Sequence, residues 1–89
     1  MEMAESVLED ARGRLRRAAG QVLGVERMLD EERSSRDVIT QLVAAIRALE
    51  LVGVRLLAAN LTQCIERPSE AERLGCTTED LEHLFCMLV

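Results

Sequence analysis

From Leu8 to Leu29 the apolar residues Leu8, Ala11, Leu15, Ala18, Val22, Val25 and Leu29 recur at alternating steps of three and four without a break. That period is helical and leaves no room for the two-residue alternation of a strand, so the stretch predicts a helix with a heptad-like seam. Glu5, Glu9 and Asp10 fall in its early turns, where carboxylates complement the helix dipole, and the polar run from Asp30 to Arg36 closes it. Ser34 or Ser35 is placed to cap a second helix with Asp37 in its first turn. The apolar pattern then runs through Val38, Ile39, Leu42, Ile46, Leu49, Leu56, Leu57, Leu61 and Ile65 with no proline, which predicts a helix of about 30 residues. Val38, Ala45 and Val52 form one flank of it and Val43, Leu57 and Leu61 another, so it should touch more than one neighbour. The single proline, Pro68, sits in the breaker Arg67-Pro68-Ser69, and Thr77 with Asp80 three residues later resembles an N-cap pair before Leu81, Leu84, Phe85 and Leu88. Gly13, Gly20, Gly24 and Gly53 inside these helices read as positions that permit close helix packing.

With one aromatic residue in 89 and 48% apolar residues, the core must come from Leu, Val, Ile, Ala and Met, which suit helices better than strands. The fold class is therefore all-α, a single domain over residues 1–89. So short a chain buries too little surface to be robust alone, and a partner subunit would supply what is missing. No run reaches the roughly 20 apolar residues that cross a bilayer, and the acidic N-terminal stretch is unlike a secretory signal. These features point to a cytoplasmic protein without membrane contact.

Charge is segregated. The chain is net −5, yet all eleven basic residues are arginine, and between positions 12 and 55 nine of them face only six acids. Arg12, Arg14, Arg16 and Arg17 crowd one helical stretch, and the planar guanidinium fork suits bidentate contact with phosphate. A solvated helix face is the alternative.

Three cysteines in a cytoplasmic chain argue against a disulfide framework and leave free thiols, reactive thiols or metal ligands. Asn60 and Cys64 lie four apart and share a face of the second helix. His83 and Cys86, three apart, have the spacing of ligands for a soft or borderline metal, although a solvated histidine and a cysteine filling the core are the leading explanation. Cys76, beside Gly75 in a polar segment, is expected to be the exposed, oxidisable thiol. No nucleophile with its base, no convergent carboxylates and no cofactor loop can be assembled, so an enzyme is not expected.

The blocks RLRRAAGQVLGVERML, DVITQLVAAIRAL and LLAANLTQC, taken in order, resemble the copper-sensing and nickel/cobalt-sensing repressor family, CsoR/RcnR, over nearly the whole chain. The resemblance rests on Arg14-Leu15, Gly20-Gln21, Gly24, Met28, Asp37-Val38, Gln41 and the Asn60 to Cys64 spacing. It implies a three-helix protomer that forms an antiparallel four-helix-bundle dimer and then a tetramer, binding double-stranded operator DNA and releasing it on meeting an inducer. The implied DNA contacts are Arg14 with its neighbours Arg12, Arg16 and Arg17, and Gln21. A further basic position of the family falls on Leu51, so Arg47 or Arg55 would have to supply that charge.

The family's copper ligands, a cysteine followed by a histidine and a cysteine four apart, match Ser35, Asn60 and Cys64. A hydroxyl and a carboxamide are poor partners for Cu(I), so no cofactor is expected, with copper or another metal at Cys64, His83 and Cys86 as the alternative. Asn60 with Cys64 is similar to the persulfide-sensing branch, CstR, which implies thiol modification by persulfide or related reactive sulfur at Cys64. Ser35 lacks the second thiol of that branch. Either Cys76 or Cys86 resolves the modification, or Cys64 is modified alone, or Ser35 replaces a working cysteine. The implied function is a DNA-binding transcriptional repressor; a metal-responsive repressor and a helical interaction protein that has lost sensing are the alternatives.

Overall fold

A computed structural model of the chain describes residues 3–89. Three helices, α1 (Glu5–Asp30), α2 (Ser35–Glu66) and α3 (Thr78–Leu88), are joined by a tight turn and by a longer connection containing a 3-10 turn at Pro68–Glu70. No strand occurs among the described residues. The all-α reading holds, with the element order and the breaker where the sequence puts them.

The caps follow from side-chain chemistry. Ser34 is the N-cap of α2, its hydroxyl accepting from the Asp37 N–H at 3.2 Å, while Ser35 is the first helical residue. Thr77 caps α3 the same way, accepting from the Asp80 N–H at 3.1 Å. Each satisfies one backbone donor that the first helical turn leaves open. The end of α1 has no such marker. There the Arg33 N–H donates to Met28 O and the Glu32 N–H to Leu29 O, a Schellman arrangement with Glu32 at φ 54° in the left-handed position that glycine usually takes.

α1 and α2 form an antiparallel hairpin, and α3 returns to lie on the C-terminal half of α2. Ala18 of α1 and Ala45 and Val52 of α2 are buried between the helices, where small side chains let the axes approach. As expected, α2 touches two neighbours. Its Gly53 accommodates Leu88 of α3 so tightly that a β-carbon there would collide with the Leu88 side chain. Gly13, Gly20 and Gly24 differ from expectation: Gly20 and Gly24 have nothing within 4 Å of a would-be β-carbon, and Gly13 meets only the Arg17 side chain.

The seam of α1 is half occupied. Ala11, Ala18 and Val25 turn toward α2, but Leu15, Val22 and Leu29 remain 44%, 49% and 61% exposed. The reason is geometric: one neighbouring helix covers one flank of a seam this wide. The hairpin's dimensions agree, since the molecule measures 55 × 26 × 13 Å and its thinnest extent is about the diameter of a single helix with its side chains. A layer one helix thick cannot enclose a core, and helices bury their apolar stripes only against a second layer.

Candidate nucleic-acid interface and thiol centre

The hairpin has two unlike edges. Leu15 and Val22 of α1 lie on the same side as Leu42, Ile46 and Leu49 of α2, all exposed, so one edge is apolar. Arg14, Arg17, Gln21 and Gly24 recur at steps of three and four along the other side of α1, and Arg55 of α2 borders them there. Asp10 marks that border: its Oδ2 accepts from Arg14 Nε at 3.0 Å and lies 3.8 Å from Arg55 Nη1. Arg47, four residues before Leu51 and seven before Val54, shares the outer side of α2 with them and is turned away from Arg17.

The four clustered arginines of the sequence therefore divide. Arg14 and Arg17 belong to the stripe bordering α2, whereas Arg12 and Arg16 form an outer stripe turned away from it. Arg12 is held by Glu5 at 3.0 Å. Among the described residues, Arg16, Arg17 and Arg47 are exposed and have no carboxylate within ion-pairing distance. Gln21 is half-buried, with its Oε1 turned inward and without a hydrogen-bond partner. Three- and four-residue spacing would have separated the two arginine stripes from sequence alone.

The sensing residues fall at two distant places. Ser35 opens α2 and Cys64 sits in its last turn, about 43 Å apart at 1.5 Å of rise per residue. Within one chain they cannot meet. Asn60, half-buried one turn before Cys64, lines a groove of about 800 Å³ between α2 and α3, together with Gly53, Arg73, His83 and Leu88.

Cys64 is buried and is disulfide-bonded to Cys76, with Cα atoms 5.9 Å apart. This corrects two expectations. The thiols are not all free, and Cys76 is half-buried and bonded, whereas the exposed free thiol is Cys86, which lies outside the core it was expected to fill. The pairing has a local cause that the sequence did contain. The Cys76 N–H donates to Ala71 O at 2.8 Å and the Gly75 N–H to Glu72 O at 3.3 Å, a second Schellman turn with Gly75 at φ +75°. A glycine placed to end a turn fixes the residue after it, and that residue is Cys76.

The turn is also electrostatically braced. Glu70 accepts from Arg73 at 2.7 Å and lies against Arg67, and these guanidinium groups, Arg73 foremost, hold its carboxyl below the ordinary value of 4.5.

The chain matches the family described as metal-sensitive transcriptional repressors over residues 8–88. It belongs to that family. This metal-sensitive repressor chain is 44% identical over 54 residues to the copper-sensing transcriptional repressor RicR of Mycobacterium tuberculosis, a match covering 61% of the chain and 56% of RicR. It thus spans little more than half the length of that relative. No solved structure matches. The family is one of repressors rather than enzymes.

A soft metal fits this repressor's residues poorly. Among the described residues no three His, Cys, Asp or Glu side chains gather to hold an ion, so Cys64, His83 and Cys86 are not brought together within one chain. The positions matching the copper ligands offer a hydroxyl and a carboxamide beside a cysteine already bonded to Cys76. No described helix is long and apolar enough to cross a membrane.

Proposed function

We propose that this protein is a DNA-binding transcriptional repressor that works as a homo-oligomer and is released when an inducer reacts at Cys64, the chemistry being thiol modification by persulfide or a related reactive sulfur species. What supports the DNA reading is the unlike pair of edges. The apolar edge of Leu15, Val22, Leu42, Ile46 and Leu49 suits a second copy of the chain, and a two-layer, four-helix dimer would give it the core it lacks. The opposite edge then displays Arg14, Arg17 and Arg55 in duplicate. Leu51, Val54 and Leu61, exposed on the outer side of α2, suit further association of dimers into a tetramer.

A protein at −5 repels DNA on average, but screening at cellular salt acts over roughly 8 Å, so the local arginine field decides. If about four to eight phosphates are neutralised, log affinity for a random-sequence duplex falls against log salt with a slope of roughly −4 to −7. Charge reversal of Arg14 and Arg17 together should remove most of this dependence. A flat salt response in the unmutated protein leaves the interaction-protein reading in its place, and unchanged binding after reversal moves the DNA contact to other residues.

The inducer reading is supported by Cys64 lying one turn from Asn60 with a second sulfur against it. A metal-responsive repressor with ligands from α3 is favoured by the family and opposed by the dispersed donors. Cu(I) titration against a competing chelator separates them: weak binding and added sulfur in the intact mass fit the thiol reading, and tight binding fits the metal.

A further inference from the structure

Cys64 and Cys76 differ in access, and the difference orders a reaction. Cys64 is buried in the last turn of α2, whereas Cys76 is half-buried at the end of a turn on the protein's surface. We propose that Cys76 is the attacking and Cys64 the resolving cysteine of an intrachain thiol–disulfide exchange site whose co-reactant is a low-molecular-weight disulfide. The proposal rests on the reading that Cys64 is the sensing thiol, and it adds that Cys76 of the same chain meets the co-reactant first and Cys64 then closes the bond.

The steps balance. The Cys76 thiolate attacks one sulfur of the small disulfide, whose S–S bond breaks; a mixed disulfide forms on Cys76 and one small thiolate leaves. The Cys64 thiolate then attacks Cys76 Sγ, forming the Cys64–Cys76 bond and expelling the second small thiolate. The two protein thiol protons pass to the two thiolates released. Two electrons move from the protein to the small disulfide.

Two features fit such a site. The Schellman turn at Gly75 fixes Cys76 by backbone hydrogen bonds from Gly75 and Cys76 to carbonyls of the turn, so its approach to Cys64 does not depend on the bond itself. Thr77, the residue after Cys76, is the N-cap of α3. Closing the bond therefore ties the end of α2 to the start of α3, and opening it frees α3 to shift on Gly53. Cys86, exposed and outside the pair, takes no part.

The test uses the full chain with Cys86→Ser, reduced and then exposed to glutathione disulfide, with non-reducing peptide mapping by mass spectrometry. The expected product links the Cys64 and Cys76 peptides of one chain and retains no glutathione. Adding Cys64→Ser should trap glutathione on Cys76, and adding Cys76→Ser should slow modification of the buried Cys64 about tenfold or more. Stable glutathione on either cysteine of the Cys86→Ser protein, or a link between two chains, overturns the proposal. So does unslowed reaction of Cys64 without Cys76. Should the Cys64→Ser chain not fold, the map of the Cys86→Ser protein decides alone. Duplex binding is measured on the same samples: a linked product that leaves DNA affinity unchanged contradicts the inducer reading while the exchange site stands.

Discussion

Asp10 and Arg55 meet across the hairpin, Oδ2 to Nη1 at 3.8 Å, and the same carboxylate oxygen takes the 3.0 Å hydrogen bond from Arg14 Nε. One acid thus sits between two of the basic groups that border the proposed DNA edge. Exposed ion pairs contribute little to stability, about 0–1 kcal/mol, so Asp10→Asn should leave the fold intact. It should also release both guanidinium groups toward phosphate. Binding of a random-sequence duplex is expected to tighten, and the log–log salt slope to steepen by about 1 to 2. A slope equal to that of the unmutated protein would show that Arg14 and Arg55 do not face DNA.

Ile46, 47% exposed on the apolar edge, tests the second copy. Ile46→Glu places a charge where a partner's apolar edge would lie, and burying an unpaired carboxylate is prohibitive. Sedimentation should report monomers. Duplex affinity should fall by a factor of 100 or more, because linked basic edges bind with avidity that single ones lack. An oligomer of unchanged mass would move the interface elsewhere.

What could be read from the sequence was local chemistry. Ser34, Thr77 and Pro68 announce themselves because a hydroxyl at an N-cap, or a missing N–H, acts within a turn. The open half of the α1 seam could not be read, because Leu15 and Ala18 fit the same period and nothing in the period says how many helices will cover it. The Cys64–Cys76 bond was half legible: Gly75 marked the turn, but the return of that turn to the end of α2 is a tertiary fact. Arg12 and Arg14 looked like one cluster because they are near in sequence, although two residues on a helix point to different sides.

The turn after α1 was invisible for another reason, since Glu32 occupies a position where the sequence offers no glycine. A left-handed residue with a side chain costs roughly 1 kcal/mol, so Glu32→Gly should stabilise the protein by up to about 1 kcal/mol. Chemical denaturation would reveal it as a higher midpoint with an unchanged slope. A lower midpoint would mean that Glu32 makes compensating contacts.

Gly53 presents opposed effects. Alanine at this helical position gains about 1 kcal/mol of propensity, yet its β-carbon would occupy the space of the Leu88 side chain. Leu88 is the last residue of α3 and can yield, so Gly53→Ala should leave global stability within about 1 kcal/mol while loosening α3. Amide exchange should rise in α3 and stay constant in α1. Equal protection of α3 in both proteins would place Leu88 elsewhere.

The turn that carries Cys76 should respond to acid through Glu70. Its carboxyl is held below the ordinary value of 4.5, first by the Arg73 hydrogen bond and then by Arg67, so the charged form is favoured in the folded state. A group with a depressed folded value stabilises above its unfolded value, and that contribution disappears as pH falls through the folded one. At neutral pH the brace is fully present; below the ordinary carboxylate range it is progressively lost. The Leu74 N–H, which donates to Glu70 O, and the Cys76 N–H, which donates to Ala71 O, report on the turn. Their protection, corrected for intrinsic exchange, should drop on acidification in the unmutated protein. In Glu70→Gln it should be lower at neutral pH and nearly flat, because the amide keeps a hydrogen-bond acceptor and has no charge to lose. An identical acid response in both proteins would assign the brace to other groups.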